Sequence, residues 1–251
     1  MSSRRQFLKK GGVLAAIFGA LGSIPIAKAE EPHQSKKWGM VIDLNRCIGC
    51  HSCVIACKAQ NNTVAGRFST RIVTAEVGAF DEPSKSFIPV LCNQCEHPAC
   101  EAACPVNALT KLSNGVVVAD WNKCEPDKCK PMSNGAGACV AACPYNANFL
   151  DPRYGDKIDK CDFCLGRVEK GLEPACVESC SSKARLFGDV NAPEGEFAEY
   201  LKRTDLRRRR PELRIEEYLK RIGFMRRKPD MKIKTSVLYL PSRKAKNEGV
   251  L

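Results

Sequence analysis

Short apolar runs separated by turn-forming residues set the pattern of this chain. Trp38-Gly39-Met40-Val41-Ile42-Asp43-Leu44 predicts a strand, and Arg71–Val77 and Phe87–Leu91 predict two more. Asn114-Gly115 is a hairpin signal, followed by Val116-Val117-Val118. The stretch Lys130-Pro131-Met132-Ser133-Asn134-Gly135-Ala136-Gly137 is too rich in Gly and Pro for regular structure. Further on, Ile215, Tyr218, Leu219 and Ile222 recur at helical spacing, which predicts an amphipathic helix from Pro211 to Ile222. Val237-Leu238-Tyr239-Leu240 predicts a last strand. No apolar run in this tail is long enough to cross a membrane.

The N-terminus has a different pattern. Ser3-Arg4-Arg5-Gln6-Phe7-Leu8-Lys9 is a basic region with paired arginines, and Val13–Leu21 is an apolar stretch. Pro25 and the small-residue pattern Ala27-Lys28-Ala29 follow. The whole resembles a twin-arginine export signal with cleavage after Ala29. The apolar core is shorter and more Gly-interrupted than the roughly 20 residues of a membrane span, although an uncleaved single anchor is the competing reading. Twin-arginine export moves folded proteins, often with cofactors already inserted, so the mature protein is expected in the periplasm.

The 251 residues allow one domain or two small ones. Charged residues at 27% exclude a polytopic membrane protein and do not suggest disorder. The formal charge of +12 would suit nucleic acid or anionic lipid, but the cysteines change that picture.

All 16 cysteines fall into four groups of four. Cys47, Cys50, Cys53 and Cys57 read C-x2-C-x2-C-x3-C. Cys92, Cys95, Cys100 and Cys104 read C-x2-C-x4-C-x3-C. Cys124, Cys129, Cys139 and Cys143 read C-x4-C-x9-C-x3-C, and Cys161, Cys164, Cys176 and Cys180 read C-x2-C-x11-C-x3-C. The first matches the bacterial ferredoxin run, in which thiolates hold [4Fe–4S] cubanes. Closely spaced cysteines in a loop can direct several sulfurs at one cubane, while the final x3 step carries the last cysteine one helical turn on, where it can face a different centre. An internal repeat supports this: Ala99–Pro105 resembles Ala138–Pro144, and Ala175–Cys180 is a third copy. Four copies of one half-site imply an α+β fold of two ferredoxin-like modules.

Other uses of cysteine compete. Zinc takes four thiolates and suits C-x2-C pairs, but a third close cysteine in group one and x3 endings throughout serve it poorly. A disulfide framework fits an exported chain with an even count, yet it leaves the repeat unexplained. A [3Fe–4S] centre usually shows as a replaced cysteine, and here none is replaced. Four [4Fe–4S] clusters are therefore expected, with a zinc- or disulfide-stapled interaction module as the remote alternative. Losing residues 1–29 removes five basic residues and no acid, which lowers +12 to +7. Each oxidised cubane with its thiolates carries about −2, so four bring the total to about −1. The basicity is then largely compensation for the cofactors, and nucleic-acid binding loses its support.

The four groups, the export signal and Pro174-Ala175-Cys176-Val177-Glu178-Ser179-Cys180 together resemble the four-cluster electron-transfer subunits of the molybdopterin (dimethyl-sulfoxide reductase) family, the small subunits of tetrathionate, polysulfide, thiosulfate, arsenate and dimethyl-sulfoxide reductases. The match covers about residues 38–190. Cys143–Phe149 and Val237–Leu240 look most like the tetrathionate-reductase type. The wide spacing of group three departs from the usual short second group, so the loop 125–138 is a candidate specialisation. The resemblance implies two pseudo-symmetric bacterial ferredoxin-like modules with loop insertions, followed by a basic extension over 191–251 with a helical part. It also implies crossed ligation, group one nested with four and group two with three. Groups two and three both end in Cys-Pro (Pro105, Pro144), whereas groups one and four end in Cys57-Lys58 and Cys180-Ser181. The implied sets are Cys47, Cys50, Cys53 and Cys180 (set one); Cys92, Cys95, Cys100 and Cys143 (set two); Cys124, Cys129, Cys139 and Cys104 (set three); and Cys161, Cys164, Cys176 and Cys57 (set four).

No phosphate loop, Ser–His–acid set or histidine metal box is present. His33, His51 and His97 are scattered; His97 is expected as a solvated loop residue, with cluster tuning as the sharper reading. With every coordination position filled by cysteine, the chain reads as a one-electron conduit with no catalytic residue. The family implies a molybdopterin catalytic partner and a polytopic quinol-reactive membrane subunit, through which the chain would be membrane-associated. An exported hydrogenase or a sulfite-reduction membrane complex is the alternative assembly. Phe197–Lys228, which holds the run Arg207-Arg208-Arg209-Arg210, is expected as a surface or docking element with no role in holding clusters.

Overall fold

An apolar strand needs partners on both edges before it can be wholly buried, and β1 (Trp38–Asp43) has them. The computed structural model describes residues 36–77, 83–203 and 235–240, all within one unit that begins at Ser35. Arg4, Arg5, Ala29, His33, Arg207–Arg210 and the helix expected over Pro211–Ile222 lie outside the described residues. Five of the six residues of β1 are buried. On one side β8 (Arg185–Asp189) pairs antiparallel, with Met40 opposite Phe187, and on the other β9 (Val237–Leu240) pairs parallel, with Met40 opposite Val237. Burial on both faces explains why β1 reads as an apolar run.

The remaining strands form two-stranded ribbons. β2 (Thr70–Val77) and β3 (Ser84–Leu91) pair antiparallel in the register Thr70 to Leu91. A two-stranded ribbon leaves one edge of each strand unpaired, which admits Pro89 within β3. β4 (Leu109–Lys111) and β5 (Val117–Ala119) close the hairpin that Asn114-Gly115 predicts, with Gly115 at φ 84. β6 (Phe149–Asp151) and β7 (Lys157–Asp159) form a ribbon with no such signal. Asp151 turns it, its Oδ1 accepting from the Arg153 backbone N–H at 3.0 Å.

The helices are short. α1 (Ser52–Asn61), α2 (Ala99–Ala102), α3 (Pro126–Cys129), α4 (Ala138–Ala142), α5 (Leu165–Val168) and α6 (Ala175–Glu178) all carry or adjoin cysteines. The Gly- and Pro-rich stretch after Cys129 is mostly loop but includes a 3-10 turn at Pro131–Ser133. The fold is α+β, small sheets with few helices, and is consistent with a ferredoxin-like core.

α7 (Gly195–Arg203) closes the sheet. Gly39 and Gly188 are cross-strand partners, and their missing side chains leave a hollow for the Phe197 ring. A Cβ on Gly188 would stand 2.5 Å from Phe197 Cδ1. Phe197 is buried with Val41 and Leu186. The segment expected as a surface element therefore starts inside the core. Its helix also holds the group-one loop: Arg46 Nη1 donates to Glu196 Oε1 at 2.6 Å and to Tyr200 Oη at 3.0 Å, and Arg46 Nε donates to Ser182 O at 3.1 Å.

Candidate iron–sulfur centres

Each group brings its third cysteine in on a helix and places the fourth one turn later. Cys53 and Cys57 both lie in α1; Cys100, Cys139 and Cys176 lie in α2, α4 and α6. In three groups the chain then repeats one local structure. Asn107, Asn146 and Lys183 are all left-handed, with φ of 50°, 50° and 52°. The next residue turns its N–H back to the sulfur: Ala108 to Cys104 Sγ at 3.2 Å, Ala147 to Cys143 Sγ at 3.4 Å, and Ala184 to Cys180 Sγ at 3.3 Å. Asparagine tolerates this conformation better than most residues, which accounts for two of the three. Group one differs because α1 continues. There Asn61 Nδ2 supplies the donor to Cys57 Sγ at 3.4 Å and lies 3.8 Å from Cys164 Sγ.

All 16 cysteines are free thiols, and their electrostatic neighbours cross between groups. Cys47 faces Cys53 and Cys180. Cys50, exposed, donates to Ser52 Oγ at 3.4 Å and is also bonded to Ser181, next to Cys180. Cys57 faces Cys176 and Cys164, and Cys161 faces Cys57 and Cys176. Cys95 and Cys100 both face Cys92 and Cys143. Cys124 faces Cys129 and Cys104, and Cys139 faces all three. Further neighbours also cross between groups: Cys53 with Cys176, Cys92 with Cys161, and Cys100 with Cys139.

Cys57, Cys161, Cys164 and Cys176 line one cavity of about 150 Å³, together with Asn61, Lys160 and Phe163. That space fits a multi-atom group. Among the described residues no three Cys, His or acidic side chains converge on a point where a single ion would sit. Burial, then the neighbouring thiols, push Cys57 and Cys139 up to about 12. Burial also pushes Cys100 to about 11. Bare buried thiolates crowded together are unfavourable, and cationic iron is what relieves that crowding.

Two buried cations stand among these thiols. Lys160 Nζ donates to Val117 O and, at 2.7 Å, to Cys161 O. Burial opposes its charge, but Cys92, Cys161 and Cys100 outweigh that and raise its pKa. Arg185 is 1% exposed and faces Cys176, Cys53 and Cys161. Gln94, fully buried, ties the groups together: its Nε2 donates to Cys161 O and its Oε1 accepts from Val117 N–H, both at 2.8 Å. Sequence reasoning missed these residues. The available signal was a charged residue in the apolar run Ala184-Arg185-Leu186-Phe187. His51 and His97 are exposed.

Comparison with known proteins agrees with this chemistry. A family model described as a 4Fe-4S dicluster domain matches residues 84–190, and one described as a 4Fe-4S binding domain matches residues 38–59. The second subunit of tetrathionate reductase from Salmonella typhimurium is 40% identical over 210 residues, covering 80% of this chain and 79% of that protein. The corresponding selenate reductase subunit of Mesobacillus selenatarsenatis is 32% identical, covering 73% and 71%. That of the sulfite dehydrogenase from Allochromatium vinosum is 36% identical, covering 63% and 71%. With cysteine groups that suit [4Fe–4S] clusters and relatives of this kind over most of its length, the chain belongs to the family of ferredoxin-like [4Fe–4S] electron-transfer subunits of the molybdopterin reductases.

Proposed function

We propose that this chain is the periplasmic electron-transfer subunit of a tetrathionate- or polysulfide-type reductase, working between a quinol-reactive membrane subunit and a molybdopterin catalytic subunit. The observation that carries the reading is the unbroken series of neighbouring thiols. Cys53 adjoins Cys176, Cys161 adjoins Cys92, and Cys100 adjoins Cys139. Taken with the crossed sets, these neighbours support the order one, four, two, three, which would suit a relay of one-electron carriers.

The crossed sets follow the same neighbours: Cys47, Cys50, Cys53 and Cys180; Cys161, Cys164, Cys176 and Cys57; Cys92, Cys95, Cys100 and Cys143; Cys124, Cys129, Cys139 and Cys104. Each would hold one [4Fe–4S] cluster, which when bound takes up and releases one electron without binding substrate. The repeated turn after Cys104, Cys143 and Cys180 supports two pseudo-symmetric modules. The chain's own part is to supply thiolates, to aim backbone N–H groups at sulfur and to bury half of the cysteines, Cys50 being the exposed one. Among the described residues no helix is long and apolar enough to cross a membrane; the proposed membrane contact is the quinol-reactive partner. The identity to the tetrathionate reductase protein supports an oxidised sulfur compound as the terminal acceptor.

Membranes containing the assembled complex test this. A reduced quinol analogue is expected to bleach the iron–sulfur absorbance, and tetrathionate to restore it. Absorbance that ignores the quinol while dithionite bleaches it fully would contradict the proposed role.

A further inference from the structure

Arginine is almost never fully buried unless it is paired, yet Arg185, at the start of β8, is 1% exposed. Its Nη2 donates to Thr70 Oγ1 at 2.7 Å, and that hydroxyl donates onward to Val90 O at 3.0 Å. Its Nη1 is buried with no hydrogen-bond partner of good geometry, and the guanidinium's other near neighbour is the Cys176 thiol, whose charge it favours by hydrogen bonding. No ion pair among the described residues joins it to a carboxylate. What faces it is sulfur: Cys176, Cys53 and Cys161, with Cys47 and Cys57 beyond, and the Tyr239 hydroxyl, which itself donates to Pro89 O at 3.0 Å.

These cysteines belong to two quartets. Cys47 and Cys53 are in set one; Cys57, Cys161 and Cys176 are in set four. A guanidinium does not lose its proton in a protein, so its charge is fixed. A buried cation this short of partners is costly on its own. The cost is offset when anionic groups stand beside it. A loaded quartet supplies one, its cluster and thiolates carrying about −2.

We propose that Arg185 is a fixed counter-charge shared by the clusters of sets one and four, raising the reduction potentials of those two selectively. The proposal rests on the cluster reading above. Adding an electron makes a loaded quartet more negative, and a cation beside it in a low-dielectric interior favours the reduced form. Set three is not among its neighbours. Lys160 stands at the next junction, facing Cys92 and Cys100 of set two and Cys161 of set four, so the pair of cations brackets set four.

The test is a redox titration followed by electron paramagnetic resonance on the anaerobically purified full chain, comparing wild type, Arg185→Gln and Arg185→Lys. The variants Cys50→Ser and Cys164→Ser assign the signals of sets one and four. Arg185→Gln is expected to lower the reduced-to-oxidised ratio of those two clusters about tenfold at fixed potential, about 59 mV for a one-electron couple, and to leave set three unmoved. Arg185→Lys, which keeps the charge, is expected to recover most of the difference. If Arg185→Gln loses the iron of sets one and four while Arg185→Lys retains it, the charge is again what those sites need. An equal shift of all four signals, no shift, or the same iron loss in both variants would overturn the proposal. Wild-type protein without iron and sulfide would overturn the cluster reading instead, so the two failures are told apart.

Discussion

The repeated turn after the last cysteine shows how far single residues define these centres. Asn107, Asn146 and Lys183 hold one left-handed conformation so that Ala108, Ala147 and Ala184 can point an N–H at sulfur. Crossed ligation makes a specific prediction at this scale. Cys104→Ser and Cys124→Ser are expected to lose the same paramagnetic signal, and Cys92→Ser a different one that Cys143→Ser also loses. Matching losses within a sequence group, Cys104 with Cys92, would mean uncrossed sites. Gly49 tests the group-one loop. It has φ 71, and a Cβ there would stand 2.5 Å from Phe87 Cδ1, while its N–H bonds Cys47. Gly49→Ala is therefore expected to cost about 1–3 kcal/mol through strain and overpacking. Loss of set-one iron ahead of the rest, followed by metal analysis during mild denaturation, would show it; simultaneous loss from all sets would not fit.

Among the elements, what was legible depended on length and chemistry. β1, β2 and β3 announce themselves as apolar or β-branched runs, and the β4–β5 hairpin as Asn-Gly. β6 and β7, with three residues each, fall below the length at which alternation can be read. Val237–Leu240 reads as a strand, but nothing local tells it to lie parallel to β1 from across the whole four-group segment. Likewise the burial of Phe197 depends on two cross-strand glycines that are distant in sequence. The cysteine groups were legible because spacing is local. Arg185 and Lys160 were not, since their roles come from thiols brought near by folding. Phe197→Ala is expected to destabilise the chain by about 3–5 kcal/mol, because the ring fills the hollow that Gly39 and Gly188 leave. Chemical denaturation of the loaded protein measures this, and a change below about 1 kcal/mol would show that α7 does not close the sheet.

For the whole molecule, charge and cofactor belong together. Without residues 1–29 the chain carries +7, and loading four dianionic groups would bring it near neutrality; two of its cations lie buried among the thiols that would hold them. Under the proposed export route, the chain would fold around its clusters before it is moved. Replacing Arg4 and Arg5 by Lys is expected to strand loaded protein in the cytoplasm, since the guanidinium pair is what the twin-arginine route reads; fractionation showing normal export would contradict it. The central claim is the cofactor load itself, and metal and acid-labile sulfide analysis of the anaerobically purified mature chain tests it most directly. Four cubanes predict about sixteen iron and about sixteen sulfide per chain. About four metal ions per chain, with zinc dominant and no sulfide, would contradict it.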